Sequence, residues 1–232
     1  MYLHGSLATG DFNPNRSDID FVVVTADGLA DEMVEALTAM HARLAVSHPA
    51  WGKKLEGSYI PQQPLRRYDR TRALHPHLGT GEPLRVEQHD SAWIIQRHIL
   101  RERGVTLAGP APHTLIDPVS PDALRGAVLS ILRGWWAPIL DHPVLLQSAE
   151  YRTYAILTMC RMLYTLQYGT VVSKPIAARW AQEALGERWA TLIERALAWP
   201  HGPQPENLDE TLDFIRYTLE QSAEAQNTMD EA

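Results

Sequence analysis

The chain has 232 residues, is 45% hydrophobic and 21% charged, and carries a formal net charge of −7. That length suffices for one large domain or two small ones, each with a real core. The acidic balance argues against a basic face of the kind that binds nucleic acid. Cys160 is the single cysteine, so no intrachain disulfide and no cysteine-based zinc site is expected, and a reducing, cytoplasmic setting fits. The opening Met1-Tyr2-Leu3-His4-Gly5-Ser6 shows no basic region followed by an apolar run, so no signal peptide is expected. No apolar stretch approaches the roughly 20 residues that span a bilayer, so no membrane partner is expected.

Taken in chain order, residues 1–5 read as a short strand and 6–17 as a polar loop with Gly10, Asn13, Pro14 and Asn15. Ile19-Asp20-Phe21-Val22-Val23-Val24-Thr25 is β-branched and predicts a buried strand. After the Asp27-Gly28 turn, Leu29, Met33, Leu37, Met40 and Leu44 recur at spacings of three and four, which predicts an amphipathic helix over 30–47. Pro49 stops it. Strands are predicted over 53–60 and 84–89, with a loop-rich stretch at 61–81 that contains His75-Pro76-His77. A helix over 91–103 ends at Gly104.

Prolines crowd the segment from Gly109 to Pro121 and argue against continuous secondary structure there. Helices are predicted beyond it over 121–136, 149–168, 174–185, 187–199 and 207–226. The expected fold is α+β. A domain at 1–120 carries a mixed β-sheet with flanking helices, and an all-helical bundle occupies 121–232.

One stretch carries chemistry. Asp18 and Asp20 alternate at the start of a strand, and alternate strand residues share a face. Charges entering a buried sheet are costly unless they are paired or hold a metal. Two such carboxylates suit Mg²⁺, which takes oxygen ligands and binds one or two carboxylates plus substrate phosphates. Upstream, Gly5-Ser6 offers a tight corner whose N–H groups and hydroxyl suit a terminal phosphate. A reading of the two acids as a solvated strand edge leaves that Gly-Ser corner unexplained.

Gly5-Ser6, an eleven-residue gap from Leu7 to Ser17, then Asp18-Ile19-Asp20 and an apolar strand resemble the signature of the DNA polymerase β-like nucleotidyltransferases. The second half narrows the likeness. Leu157-Thr158-Met159-Cys160-Arg161, then Tyr164, Gly169 and Lys174, followed by Ala177-Ala178-Arg179-Trp180-Ala181, resemble the helical domain of the aminoglycoside 3''-adenylyltransferases. Gly104 to Pro110 and Leu115 to Val119 resemble that family's interdomain passage.

The resemblance implies transfer of AMP from ATP to a hydroxyl of an aminoglycoside such as streptomycin or spectinomycin, with two Mg²⁺ ions and release of pyrophosphate. By position it implies that Asp18 and Asp20 hold metal and that Gly5, Ser6 and Ser17 meet the phosphates. It gives Arg161 and Lys174 to the triphosphate and Trp199 to the nucleotide. The superfamily's third carboxylate falls on Glu56, as catalytic base, with Glu87 as the competitor. Trp136, Asp141 and Glu150 are the acceptor-side candidates. The chain departs from the family pattern in opening directly on the first catalytic strand, without a preceding helix. A monomer is expected. Transfer to another small-molecule or protein hydroxyl, or a non-catalytic nucleotide sensor or antitoxin-like partner, are the other functions weighed.

Overall fold

The computed structural model describes residues 1–15, 17–199 and 207–230. The chain divides into two compact units, Met1–Val119 and Ser120–Ala232.

In the first unit, β1 (Tyr2–Leu3) runs into the short helix α1 (Gly5–Thr9), where a polar loop was predicted. Then follow β2 (Ile19–Thr25), α2 (Asp31–Ser47), β3 (Leu55–Pro61), α3 (Gln62–Arg66), β4 (Leu74–Leu78) and β5 (Arg85–Gln88). Helix α4 (Ala92–Arg103), β6 (Val105–Thr106) and α5 (Pro112–Leu115) complete the unit. The strands form one mixed sheet in the order β5-β4-β3-β2-β1-β6. Only β2 and β3 run parallel, which is why a whole helix, α2, joins them.

Alternation along β2 and β3 divides the core between the two sheet faces. Val22 and Ile60 pack with Tyr2, Leu65, Leu100, Leu115 and Ile116 on one face, with Trp93 against them. Phe21 and Tyr59 pack with Leu78 and Leu84 on the other, where Val34 and Leu37 of α2 cover them. Strand β4 replaces part of the predicted 61–81 loop. Its Pro76 masks the strand in the sequence, yet its register with Val86 places it in the ladder.

The second unit contains α6 (Pro121–Ile131), α7 (Ala137–Asp141), α8 (Ala149–Tyr168), α9 (Lys174–Ala184), α10 (Glu187–Ala198) and α11 (Leu208–Asp230). The helix predicted over 121–136 widens at Leu132 into a π-helical turn that runs on into α7. Helix α8 is the centre of the unit and packs against α6, α9, α10 and α11. Ile156, Met159 and Cys160 on it are fully buried. The Ser148 hydroxyl caps it at one end by accepting from the Tyr151 N–H at 3.3 Å. Gly169, with φ +63°, closes it at the other. Among the described residues no helix is long and apolar enough to cross a membrane.

Candidate active site

Strand β1 ends as His4 donates its backbone N–H to the Asp20 carbonyl at 3.0 Å. Gly5 then turns the chain into α1 with φ +59°, a conformation glycine adopts without steric cost. Ser6 stands in the first turn of α1, and its carbonyl accepts from Asp11 N at 3.1 Å. The following loop is knotted by Ser17. Its N–H donates to the Asn13 carbonyl at 2.8 Å, and its hydroxyl accepts from Asn13 N at 3.0 Å. Accepting uses a lone pair, so the hydroxyl can still donate its hydrogen. Lys54 pins the same loop through a 2.6 Å bond to the Pro14 carbonyl.

Asp20 and Glu56 are direct partners in the parallel register of β2 and β3, one strand spacing of about 4.8 Å apart. Asp18 stands just ahead of β2, half-buried like Asp20. Glu87 lies two strands from β3, opposite His75 of β4. The structure therefore brings Glu56, not Glu87, beside Asp20. Thr80 orients Glu56 by donating its hydroxyl to Oε2 at 3.1 Å.

A cavity of about 250 Å³ opens over these groups, lined by Asp20, Glu56, His77, Glu87, Trp93 and Gln96 among others. Side-by-side carboxylates repel unless a cation or proton lies between them, and an all-oxygen donor pair fits Mg²⁺. Among the described residues no three His, Cys, Asp or Glu converge on one point. An ion there would thus need phosphate and water oxygens as well.

Histidines furnish much of the cavity's far wall. Ser58 bridges His77 Nδ1 at 2.8 Å and His89 Nε2 at 3.0 Å, and His89 stacks on Trp93 at 3.9 Å. Burial, with lesser contributions from His75, His77 and Arg97, pushes His89 down to about 2. Burial, with Arg97 nearby, pushes His75 down to about 4. His4 is likewise pushed down to about 4 by burial, which Gln96 and the Phe21 backbone only partly oppose. Neither of its ring nitrogens makes a hydrogen bond of ordinary geometry. The Arg97 guanidinium is spent on the Leu65, Pro64 and Trp93 carbonyls.

The remaining candidates lie in the helical unit. Arg161 is half-buried on α8. Lys174 is the first residue of α9, with Nζ 4.0 Å from the Tyr154 ring centroid. Trp199 follows α10, half-buried, its N–H on the Arg195 carbonyl. Asp141 ends α7 and Glu150 opens α8, both exposed. Trp136 needs correction as an open aromatic face. It is 1% exposed and packs on Tyr151 and Tyr154. Its large apolar ring fills the core, leaving Tyr154 as the more open surface.

His4, Trp93 and Gln96 escape sequence reasoning as site residues. The available signal was the i, i+3 spacing of Trp93 and Gln96, which puts both on one face of α4. Nothing in the sequence says that this face meets the sheet at Asp20.

Residues 1–70 match the model of the nucleotidyltransferase domain, and residues 114–224 match that of the aminoglycoside adenylyltransferase C-terminal domain. An aminoglycoside (3'') (9) adenylyltransferase of Escherichia coli is 30% identical, over 94% of this chain and 84% of its own length. A spectinomycin 9-adenylyltransferase of Campylobacter jejuni is 25% identical, over 84% and 75%. The fold matches the solved spectinomycin adenyltransferase from Enterococcus faecialis with ATP and spectinomycin at TM-score 0.73 and 19% identity, over 96% of this chain and 90% of that one.

Proposed function

The chain belongs to the aminoglycoside adenylyltransferase family, and on that premise we propose that it transfers AMP from ATP to a hydroxyl of an aminoglycoside such as spectinomycin or streptomycin. The observation that carries this reading is the pairing of Asp20 with Glu56, beside the Gly5 corner that opens α1.

In this reaction the acceptor oxygen forms a bond to the α-phosphorus. The bond from that phosphorus to the α,β-bridging oxygen breaks, and pyrophosphate leaves. The acceptor proton passes to the Glu56 carboxylate, which Thr80 already orients through Oε2. Gly5 and Ser6 present backbone N–H groups and a hydroxyl to the phosphates, and Ser17 adds a second hydroxyl. Asp18 and Asp20 would hold Mg²⁺, and a bound ion would supply positive charge against the phosphates. Arg161 and Lys174 supply further positive charge for the departing pyrophosphate, and Trp199 meets the nucleotide. Asp141 and Glu150 attract the cationic acceptor.

Mass spectrometry of spectinomycin and streptomycin after incubation with the protein, ATP and Mg²⁺ tests this. Addition of one AMP to either drug, abolished by omitting Mg²⁺, is expected. Two unmodified drugs overturn the assignment of the acceptor. ATP turnover with neither drug modified moves the same chemistry to another hydroxyl.

A further inference from the structure

Strand alternation puts His77 on the same sheet face as the candidate base. It pairs with Ser58 across β3 and β4. Glu56 stands two residues before Ser58, so the three side chains share a face. Glu56 and His77 are diagonal neighbours, about 7–8 Å apart. His77 lies across β3 from Asp20, on the far side of Glu56, and lines the same cavity as both acids. Its Nδ1 is bonded to the Ser58 hydroxyl. Its Nε2 has no hydrogen-bond partner among the described residues, and it is not one of the enclosed ring nitrogens that His4, His75 and His89 carry. Nε2 is thus the nitrogen open to a molecule in the cavity.

Ser58 sets the way that nitrogen works. Its hydroxyl lies 2.8 Å from His77 Nδ1 and 3.0 Å from His89 Nε2. One hydroxyl hydrogen cannot serve both, so one of the two rings donates to the serine oxygen. His89 is neutral, since burial pushes it down to about 2, and its ring carries one proton. On Nδ1 that proton would sit on a buried nitrogen without a partner, and orphaned buried donors are rarer than orphaned acceptors. On Nε2 it is donated to Ser58. Ser58 then donates to His77 Nδ1, which leaves the His77 proton on Nε2. His77 thereby offers the cavity a neutral N–H from a ring fixed from behind.

We propose that His77 is a specificity-determining residue, donating its Nε2–H to an oxygen of the aminoglycoside beside the hydroxyl that Glu56 deprotonates. The inference rests on the reading of the chain as an aminoglycoside adenylyltransferase. In that reading Asp20, on the β2 side, serves the phosphates, whereas His77 stands beyond Glu56, where the frame of the drug extends. An N–H cannot accept, so it suits a hydroxyl or ether oxygen and meets an ammonium group as donor against donor. A molecule with an amine at that point leaves both donors unpaired, which lowers its rate relative to an oxygen-bearing one.

Proton–nitrogen NMR of the full chain labelled at its histidine rings, with His77 assigned by the loss of its signals in His77→Phe, reads the tautomer. At mildly alkaline pH the His77 proton should sit on Nε2 and Nδ1 should be bare. A proton on Nδ1 overturns the proposal. Initial rates with ATP and spectinomycin or streptomycin test the contact. His77→Phe keeps a planar ring and removes the donor. It should raise the KM of at least one drug by about 5-fold or more and leave the ATP KM as in wild type. His77→Gln restores an N–H donor and should recover part of the loss, and a loss as large as in His77→Phe counts against the contact. Equal drug KM in wild type and His77→Phe overturns the proposal and leaves the enzymatic reading standing. A matching rise in the ATP KM does so too, because it marks a general disturbance of the cavity. A wild type that binds the drugs in a calorimetric titration without transferring AMP sinks the enzymatic reading instead. The drug affinities of the two proteins then decide: weaker binding in His77→Phe upholds the contact, and equal binding overturns it. A wild type that binds neither drug overturns both.

Discussion

The Asp20 carboxylate lies against the backbone of Gly5, so closely that a Cβ there would stand 1.9 Å from Oδ2 and 2.5 Å from Cγ. The first turn of α1 and the acid on β2 are therefore one device, and only glycine fits between them. Gly5→Ala is expected to push Asp20 aside and to lower AMP transfer by about 100-fold or more, since small displacements of reacting groups are costly. The φ of +59° adds strain of about 1–2 kcal/mol for any L side chain. Initial rates and thermal melts of the variant measure the two effects apart. Full turnover in a folded Gly5→Ala protein excludes Asp20 from the chemistry.

Glu56 and Asp20 are neighbours with different tasks, and substitution should separate them. Glu56→Gln keeps the shape and removes the proton acceptor, so transfer should drop by about 100- to 10,000-fold with ATP binding intact. Asp20→Asn should lose both transfer and the Mg²⁺ dependence of ATP binding. Nucleotide titrations at several Mg²⁺ concentrations distinguish them. An equal loss of Mg²⁺-dependent ATP binding in both variants makes Glu56 a metal ligand instead of a base.

Much of this arrangement was legible in the sequence because it rests on local signals. The β-branched run from Ile19 to Thr25 marks β2 with its correct bounds, and the spacing of Leu37 and Leu44 marks α2. Choosing Glu56 over Glu87 took more than local signals: it came from the resemblance, whose third carboxylate lies on a neighbouring strand, and the register pairs Asp20 with Glu56. The remainder depends on contacts distant in sequence. The short helix α1 has no apolar periodicity of its own, and β4 is broken in appearance by Pro76. Trp136 looks like a surface aromatic beside Trp135, yet one ring is 1% exposed and the other 52%. Packing against α8 decides between them, and no pattern in residues 132–141 reports it.

Acid should loosen the first unit through its buried histidines. An unfolded histidine titrates near 6.5, whereas burial holds His75 down to about 4 and His89 to about 2. Between about 4 and 6.5 the unfolded chain therefore binds more protons than the folded one. Stability is fully present above 6.5 and is lost as pH falls through that window, at about 1.4 kcal/mol per pH unit for each proton of difference. His75→Gln, which cannot take up the proton, should show a shallower decline in melting temperature from pH 7 to 4.5. Parallel declines for the variant and the wild type remove His75 from the account.

Lys174 tests whether the helical unit contributes charge to the reaction or only to its own packing. A lysine as the first residue of a helix opposes the positive end of the helix dipole, at a cost of about 0.3–1 kcal/mol. Its Nζ lies 4.0 Å from the Tyr154 centroid, and such contacts return about 0.5–2 kcal/mol. The two effects are of similar size, so neither alone decides the stability of a Lys174 variant. Lys174→Gln removes the charge and keeps most of the stem. It should raise the KM for ATP by about 10-fold, with the melting temperature unchanged or slightly higher as the dipole conflict is relieved. Tyr154→Leu should lower stability without a matching change in that KM. The reverse pattern, with an unaltered ATP KM and a lower melting temperature in Lys174→Gln, makes the lysine a structural partner of Tyr154 and leaves Arg161 as the helical unit's candidate for the phosphates.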